Sequence, residues 1–165
     1  PEINLTVPIG RHSLSGRCDL LVVGERTLEI HDWKTGIRPG SLEALRDDLQ
    51  TRVDLALAAE GAAALSGAVP PDGIRLTYWY ASDPPMQRSL VYSGEWHAEN
   101  WAYLQNLAQQ IEQQLKTGDA MPLTDDLAEC RRCAYRAYCG RQVDGDDLAG
   151  WQVTDPPLQL EPDLP

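Results

Sequence analysis

The octapeptide EIHDWKTG, residues 29–36, sets Asp32 and Lys34 at the end of an apolar run that reads as a β-strand. Side chains on a strand alternate between faces, so Leu28, Ile30, Asp32 and Lys34 point one way, and Glu29, His31 and Trp33 the other. Charges on the apolar side of a strand cost free energy unless they are paired or used. The preceding run SLSGRCDLLVVG (13–24) is also strand-like, with Arg17, Asp19, Leu21 and Val23 on one face. Pairing of the two runs across Gly24, Glu25 and Arg26 brings Asp19 near Asp32. Two carboxylates and a lysine at a strand end can hold Mg²⁺ or Mn²⁺, hard cations that keep several waters and bind phosphate. Such an ion stabilises charge on a phosphodiester, while the lysine positions or helps deprotonate a water and neutralises developing charge. An isolated D-x-K reads as a solvated surface pair. The order G-x-x-D, short connection, apolar-x-D-x-K-T-G, and then a helix carrying Gln50 favours a site.

Outward from this stretch, EINLTV (2–7) alternates as a strand, and TGIRPGS breaks the chain. From Ser41, a plausible N-cap with Glu43 in the first turn, the residues Leu42, Leu45, Leu49, Val53 and Leu57 recur at helical spacing, with Gly61 or Gly67 as the stop. GAVPPDG is a loop, residues 74–81 a strand, SDPP a turn and 87–93 a strand. Residues 95–117 form a second long helix with Trp101, Leu104, Leu107, Ala108, Ile111 and Leu115 on one side. The order β-β-β-α-β-β-α predicts an α/β fold in which one mixed central sheet is flanked by helices. His31 and Trp33 are expected to pack against a helix on the second face of that sheet, and Trp79, Trp96 and Trp101 to lie in the core.

The chain has 165 residues and a net charge of −11, a balance that disfavours nonspecific nucleic-acid binding. The charge is uneven. Residues 130–141 hold Arg131, Arg132, Arg136 and Arg141 without an acid, and residues 142–165 hold six acids without a base. No stretch reaches the ~18–20 apolar residues of a membrane span. There is no signal-peptide pattern, so the cytoplasm is the default location. The first residue is Pro1 rather than Met, which reads as a processed or partial chain. No P-loop, G-x-G-x-x-G or Ser/His/Asp order is present.

Three of the four cysteines cluster in CRRCAYRAYC, as Cys130, Cys133 and Cys139. That density is low for a secreted disulfide scaffold, and the spacing suits a thiolate metal site in a reducing compartment. Thiolates bind Zn²⁺ or an iron–sulfur cluster, each normally through four ligands. Cys18, the fourth cysteine, is expected in the core.

Taken together, GRCD (16–19), DWKTG (32–36), Gln50 and the cysteine segment resemble the PD-(D/E)XK nuclease superfamily, and within it RecB-like nucleases of the CRISPR-associated and AddB types. The resemblance implies a restriction-endonuclease-like core and a metal-dependent DNA nuclease, an exonuclease of repair, recombination or CRISPR adaptation. It implies Asp19, Asp32 and the Trp33 backbone carbonyl as ligands of Mg²⁺ or Mn²⁺, with Lys34 and Gln50 completing the catalytic set. It also implies a [4Fe–4S] cluster on Cys130, Cys133 and Cys139, with the fourth cysteine upstream of this chain. Arg131, Arg132 and Arg136 then become DNA contacts, since guanidinium groups pair well with phosphates. The expected partners are DNA and a helicase or CRISPR-adaptation protein, with no membrane. Residues 1–142 form the nuclease domain, including segment 130–139, and residues 143–165 an acidic, Pro-rich tail or linker. In one departure, the family's helix motif Q-x-x-x-Y has Asp54 at the tyrosine position. The alternatives are a noncatalytic DNA-binding or assembly module, and the nuclease domain of a larger helicase–nuclease.

Overall fold

The computed structural model describes residues 2–35, 41–66, 69–81, 84–118, 120 and 122–141. Much of the TGIRPGS break, part of the SDPP turn and the whole acidic tail therefore lie outside the described residues. The chain divides into two compact units, Pro1–Asp119 and Ala120–Pro165, so the cysteine segment belongs to the second. Among the described residues no helix is long and apolar enough to cross a membrane.

In the first unit, β1 (Ile3–Ile9) buries Leu5, Val7 and Ile9 and exposes the residues between them. It pairs antiparallel with β2 (His12–Cys18) through a two-residue turn, where Gly10 takes φ 60°. β3 (Leu20–Val23) pairs antiparallel with β4 (Leu28–Lys34), and β4 pairs parallel with β5 (Ile74–Tyr80), which pairs antiparallel with β6 (Met86–Val91). The result is a two-stranded sheet, β1-β2, beside a four-stranded mixed sheet, β3-β4-β5-β6.

The expected mixed central sheet is β3-β4-β5-β6; the corrections are that β1 and β2 stand outside it and that the single strand expected over 13–24 is two. The inward residues of β2 are Leu14, Gly16 and Cys18, whereas Leu21 is the buried residue of β3. The alternation slips by one at Cys18–Asp19, so the chain leaves one sheet and enters the other. Arg17 consequently points outward to Glu2, at 3.1 Å, rather than sharing a face with Asp19.

The helical run from Ser41 is likewise divided, into α1 (Leu42–Asp47) and α2 (Leu49–Ser66). Ser41 caps α1 as expected, its Oγ accepting from the Ala44 amide at 3.1 Å. Asp48 ends α1 with extended backbone, and its Oδ1 accepts from the Gln50 and Thr51 amides at 2.9 and 3.3 Å, capping α2. The helix then passes through Gly61 to Ser66. Leu42 and Leu49 are half exposed, while Thr51, Asp54, Leu55, Leu57 and Ala58 are buried. The inward stripe of α2 is thus partly polar, which the apolar spacing concealed.

α3 (Gly94–Thr117) is capped by Ser93, whose Oγ accepts from the Trp96 amide, and it stops at Gly118 with φ 68°. Trp96, Asn100 and Leu104 are buried at spacing i, i+4, i+8; Ile111 and Leu115 are exposed, contrary to the expected continuous stripe. The main core lies between α2 and the sheets and includes Leu28, Ile30, Leu55, Ile74, Leu76 and Tyr78. On the second face of the four-stranded sheet Trp33 is 52 % and Trp79 41 % exposed, so the expected burial of both is corrected. Trp79 instead donates through Nε1 to His31 Nδ1 at 3.0 Å.

Candidate active site

The antiparallel register of β3 and β4 pairs Leu20 with His31, which sets Asp19 opposite Asp32 at the mouth of the pair. The Trp33 amide donates to Asp19 Oδ2 at 2.9 Å and fixes that carboxylate beside the strand. Asp32, 7 % exposed, is the buried acid of β4. Lys34 Nζ lies 2.8 Å from Asp32 Oδ1 and donates to Gln50 Oε1 at 2.7 Å. Gln50 Nε2 in turn donates to Asp32 Oδ2 at 3.1 Å. Asp32, Lys34 and Gln50 therefore form a closed triangle.

The triangle sets the Gln50 amide orientation. Lys34 can only donate and an ionised Asp32 can only accept, so a flipped amide would face two wrong partners. Asp48 delivers Gln50 to this point by starting α2 next to the end of β4. Beneath the lysine, the Tyr78 ring centroid is 5.1 Å from Nζ, and the Tyr78 hydroxyl is hydrogen-bonded to Thr51 Oγ1 at 2.8 Å. Burial, then the nearby carboxylates Asp54 and Asp32, raise the Tyr78 phenol well above its ordinary value, although the Thr51 bond opposes this. Burial also raises Tyr80, with Asp32 adding to the effect and Arg88 opposing it.

Asp54 stands one helical turn after Gln50 and is 5 % exposed. Burial and the charge of Asp32 push its carboxyl up to about 7, against a hydrogen bond from the Gln50 side chain that favours ionisation. A Cβ added at Gly16 would stand 2.6 Å from Leu57 Cδ1 and 3.6 Å from Asp54 Oδ1. The glycine of G-x-x-D thus lets α2 approach β2 and bring Gln50 and Asp54 to the site. Cys18 is buried as expected; burial first, then Asp54, Asp32 and Asp19, push its thiol up to about 12, so it keeps its proton at neutral pH.

Asp32 Oδ1 is buried, and the lysine approaches it off the hydrogen-bond axis, so no aligned donor satisfies it. A carboxylate oxygen without a hydrogen bond, beside a second carboxylate, is the kind of hard donor a divalent cation takes. Among the described residues no three His, Cys, Asp or Glu side chains converge on one point. A site of two carboxylates leaves the remaining coordination to carbonyl, water and phosphate oxygens.

In the second unit, α4 (Leu127–Arg132) is capped by Asp126, whose Oδ1 accepts from the Ala128 amide at 2.8 Å. Cys130, Cys133 and Cys139 are free thiols lining one pocket of about 390 Å³ without converging. Arg141 Nη1 donates to Cys130 Sγ at 3.3 Å and also to the Thr124 carbonyl. Arg131 is exposed, and Arg136 donates to the Arg131 carbonyl. Arg132 belongs to α4. Tyr135 and Tyr138 are exposed, with ring centroids 6.3 Å apart.

Tyr78, Thr51, Asp48 and Asp54 are the site residues that sequence reasoning did not assemble. Alternation in IRLTYWYA places Tyr78 and Tyr80 on one face, but only the parallel register, Asp32 with Tyr78 and Lys34 with Tyr80, sets them beside the acid and the lysine.

A mixed sheet with a paired-carboxylate, lysine and glutamine constellation at a strand end defines a restriction-endonuclease-like nuclease fold. The description of the PD-(D/E)XK nuclease superfamily matches residues 2–140, and the chain belongs to that superfamily. Membership implies a nuclease, of a kind that typically works with a divalent metal. Searches of curated proteins and of solved structures returned no match.

Proposed function

We propose that this chain is a Mg²⁺- or Mn²⁺-dependent deoxyribonuclease of RecB-like type, acting as an exonuclease on DNA in repair, recombination or CRISPR adaptation. The observation that carries the reading is the closed triangle of Asp32, Gln50 and Lys34 beside Asp19. Asp19, Asp32 and the Trp33 carbonyl would hold the cation. When bound, it supplies Lewis acidity toward phosphate oxygens and water. Hydrolysis adds water across a P–O bond: the water oxygen bonds phosphorus, and the bridging oxygen departs with the electron pair and takes up a proton. Lys34 neutralises charge gathering on the phosphate, Gln50 keeps the ammonium and Asp32 in fixed relation, and Tyr78 limits where Nζ can move.

The finer part of the proposal is a [4Fe–4S] cluster on Cys130, Cys133, Cys139 and one further ligand. It is supported by three thiols lining one pocket, with an arginine beside Cys130 to offset thiolate charge. Arg131, Arg132 and Arg136 would bind DNA phosphates, and the exposed Tyr135 and Tyr138 rings would stack on bases. A helicase or CRISPR-adaptation partner belongs to the same reading.

The test is cleavage of end-labelled single- and double-stranded DNA with Mn²⁺ by wild type, Lys34→Ala and Asp32→Ala. Both variants should lose roughly 10²–10³-fold in rate. Mn²⁺ binding should be lost in Asp32→Ala and kept in Lys34→Ala. Wild-type protein purified anaerobically should contain iron and labile sulfide. Unchanged cleavage in either variant would overturn the catalytic assignment, and metal binding without any cleavage would favour a noncatalytic module.

A further inference from the structure

Carboxylates take up most of the described cations of the first unit. Arg11 and Lys116 reach Glu112, Arg17 reaches Glu2, Arg46 reaches Glu99, Arg52 reaches Asp47, and Lys34 reaches Asp32. Among the described residues Arg26, Arg75 and Arg88 have no such pair, and they sit in different places. Arg26 lies in the β3–β4 turn, roughly 20 Å along the strand from Asp32 at ~3.3 Å per residue. Arg75 is in register with Glu29, on the face opposite Asp32. Arg88 alone shares the row of the active site.

That row runs across the four strands. Asp19 lies opposite Asp32, Asp32 is in register with Tyr78, and Tyr78 with Arg88. On β6, Arg88 shares its face with the buried Leu90, and α1 is the helix that packs on this strand. At ~4.8 Å between strands, the Arg88 backbone stands about 10 Å from that of Asp32. The guanidinium makes one long bond, Nη1 to the Gln87 carbonyl at 3.4 Å, and its charge acts on Tyr80, the neighbour of Lys34. β6 is the edge strand of this sheet, and Arg88 is part-exposed on it.

A chain of net charge −11 repels a polyanion unless cations stand where the strand passes. We infer that Arg88 binds a backbone phosphate of the substrate DNA strand, close to the phosphate held at Asp32. A guanidinium can grip a phosphate with two parallel N–H donors, and it stays charged at every working pH. The contact rests on the nuclease reading above and adds to it the path of the strand, from the β3 edge toward β6.

Wild type, Arg88→Ala, Arg88→Gln and Arg88→Lys are compared by DNA cleavage kinetics with Mn²⁺, and by oligonucleotide Kd across a salt series. Arg88→Ala and Arg88→Gln should raise Kd and KM about tenfold for every sequence, and lower the log Kd against log salt slope by about 1. In both, kcat should stay within twofold and Mn²⁺ affinity should match wild type. Arg88→Lys should recover most of the loss. Wild-type Kd and salt slope in both Arg88→Ala and Arg88→Gln, in a protein whose wild type cuts DNA, would overturn this inference alone. A wild type with no affinity for DNA would overturn it together with the nuclease reading.

Discussion

The two faces of β4 are built on opposite rules. On the face toward α2 an acid and a lysine sit among buried residues: Gln50 bonds Asp32 Oδ2, Thr51 bonds Tyr78, and Asp32 Oδ1 is left without a hydrogen bond. On the other face the large side chains Trp33 and Trp79 are half exposed, and the polar contacts include the exposed Trp79–His31 bond, a 3.7 Å pair between His31 and Glu29, and a Thr77–Ser89 hydroxyl bond at 2.9 Å. Burial follows the chemistry here and not the hydropathy. A buried charge is tolerable when it is paired, and the low-dielectric surroundings that make it costly also make it effective on a phosphate. Changes on the α2 face should therefore be expensive, and changes on the second face cheap.

The largest expected effect on stability is at Asp54. Folding raises its carboxyl from 3.8 to about 7, so it favours the protonated form. Its contribution to stability is fully present below about pH 3.8 and is lost as pH rises through about 7. Asp54→Asn removes that dependence. In metal-free buffer, urea unfolding of the variant minus wild type should climb by about 2–4 kcal/mol between pH 4 and 8. A pH-independent difference would remove Asp54 from the contrast.

Next in size is Gly16→Ala. The new methyl meets Leu57 Cδ1 at 2.6 Å, and Leu57 is wholly buried, so α2 must shift or its leucine must leave its rotamer. Overpacking of this kind costs about 1–3 kcal/mol in thermal or urea unfolding. Mn²⁺ affinity should fall with it, because Gln50 rides on the same helix, and a second change, Leu57→Val, should restore part of both. Stability and metal affinity equal to wild type would show that α2 does not depend on this close approach.

The smallest effect is at Trp79→Thr on the second face. It gives up one exposed hydrogen bond and partly exposed ring area, and should change unfolding free energy by less than about 1 kcal/mol, with cleavage unchanged. A loss as large as that at Gly16 would erase the difference between the faces.

Much of the site is legible in single residues. Alternation in EIHDWKTG puts Asp32 and Lys34 on one side, and the Gly24–Arg26 turn gives the register that sets Asp19 opposite Asp32. Ser41 as a cap, the existence of four of the six strands, and the two long helical runs follow from spacing alone. The break at Asp19 is not legible, because slipping the alternation by one residue leaves no mark in a run of mixed polar and apolar side chains. The break at Asp48 is hidden for a related reason: an aspartate inside a helical pattern reads as a surface acid until its side chain is seen accepting the Gln50 and Thr51 amides.

Local rules, strand alternation, turn chemistry and helix spacing, determine that this chain makes an α/β core with two acids and a lysine at one strand end. What surrounds them is a matter of register between segments distant in sequence. The parallel pairing of β4 with β5 puts Tyr78 under Lys34, the pairing of β5 with β6 puts Arg88 in the row of Asp32, and the space at Gly16 lets α2 carry Gln50 and Asp54 inward. Those placements come from packing free energy summed over the whole core, to which no single stretch of sequence is a guide.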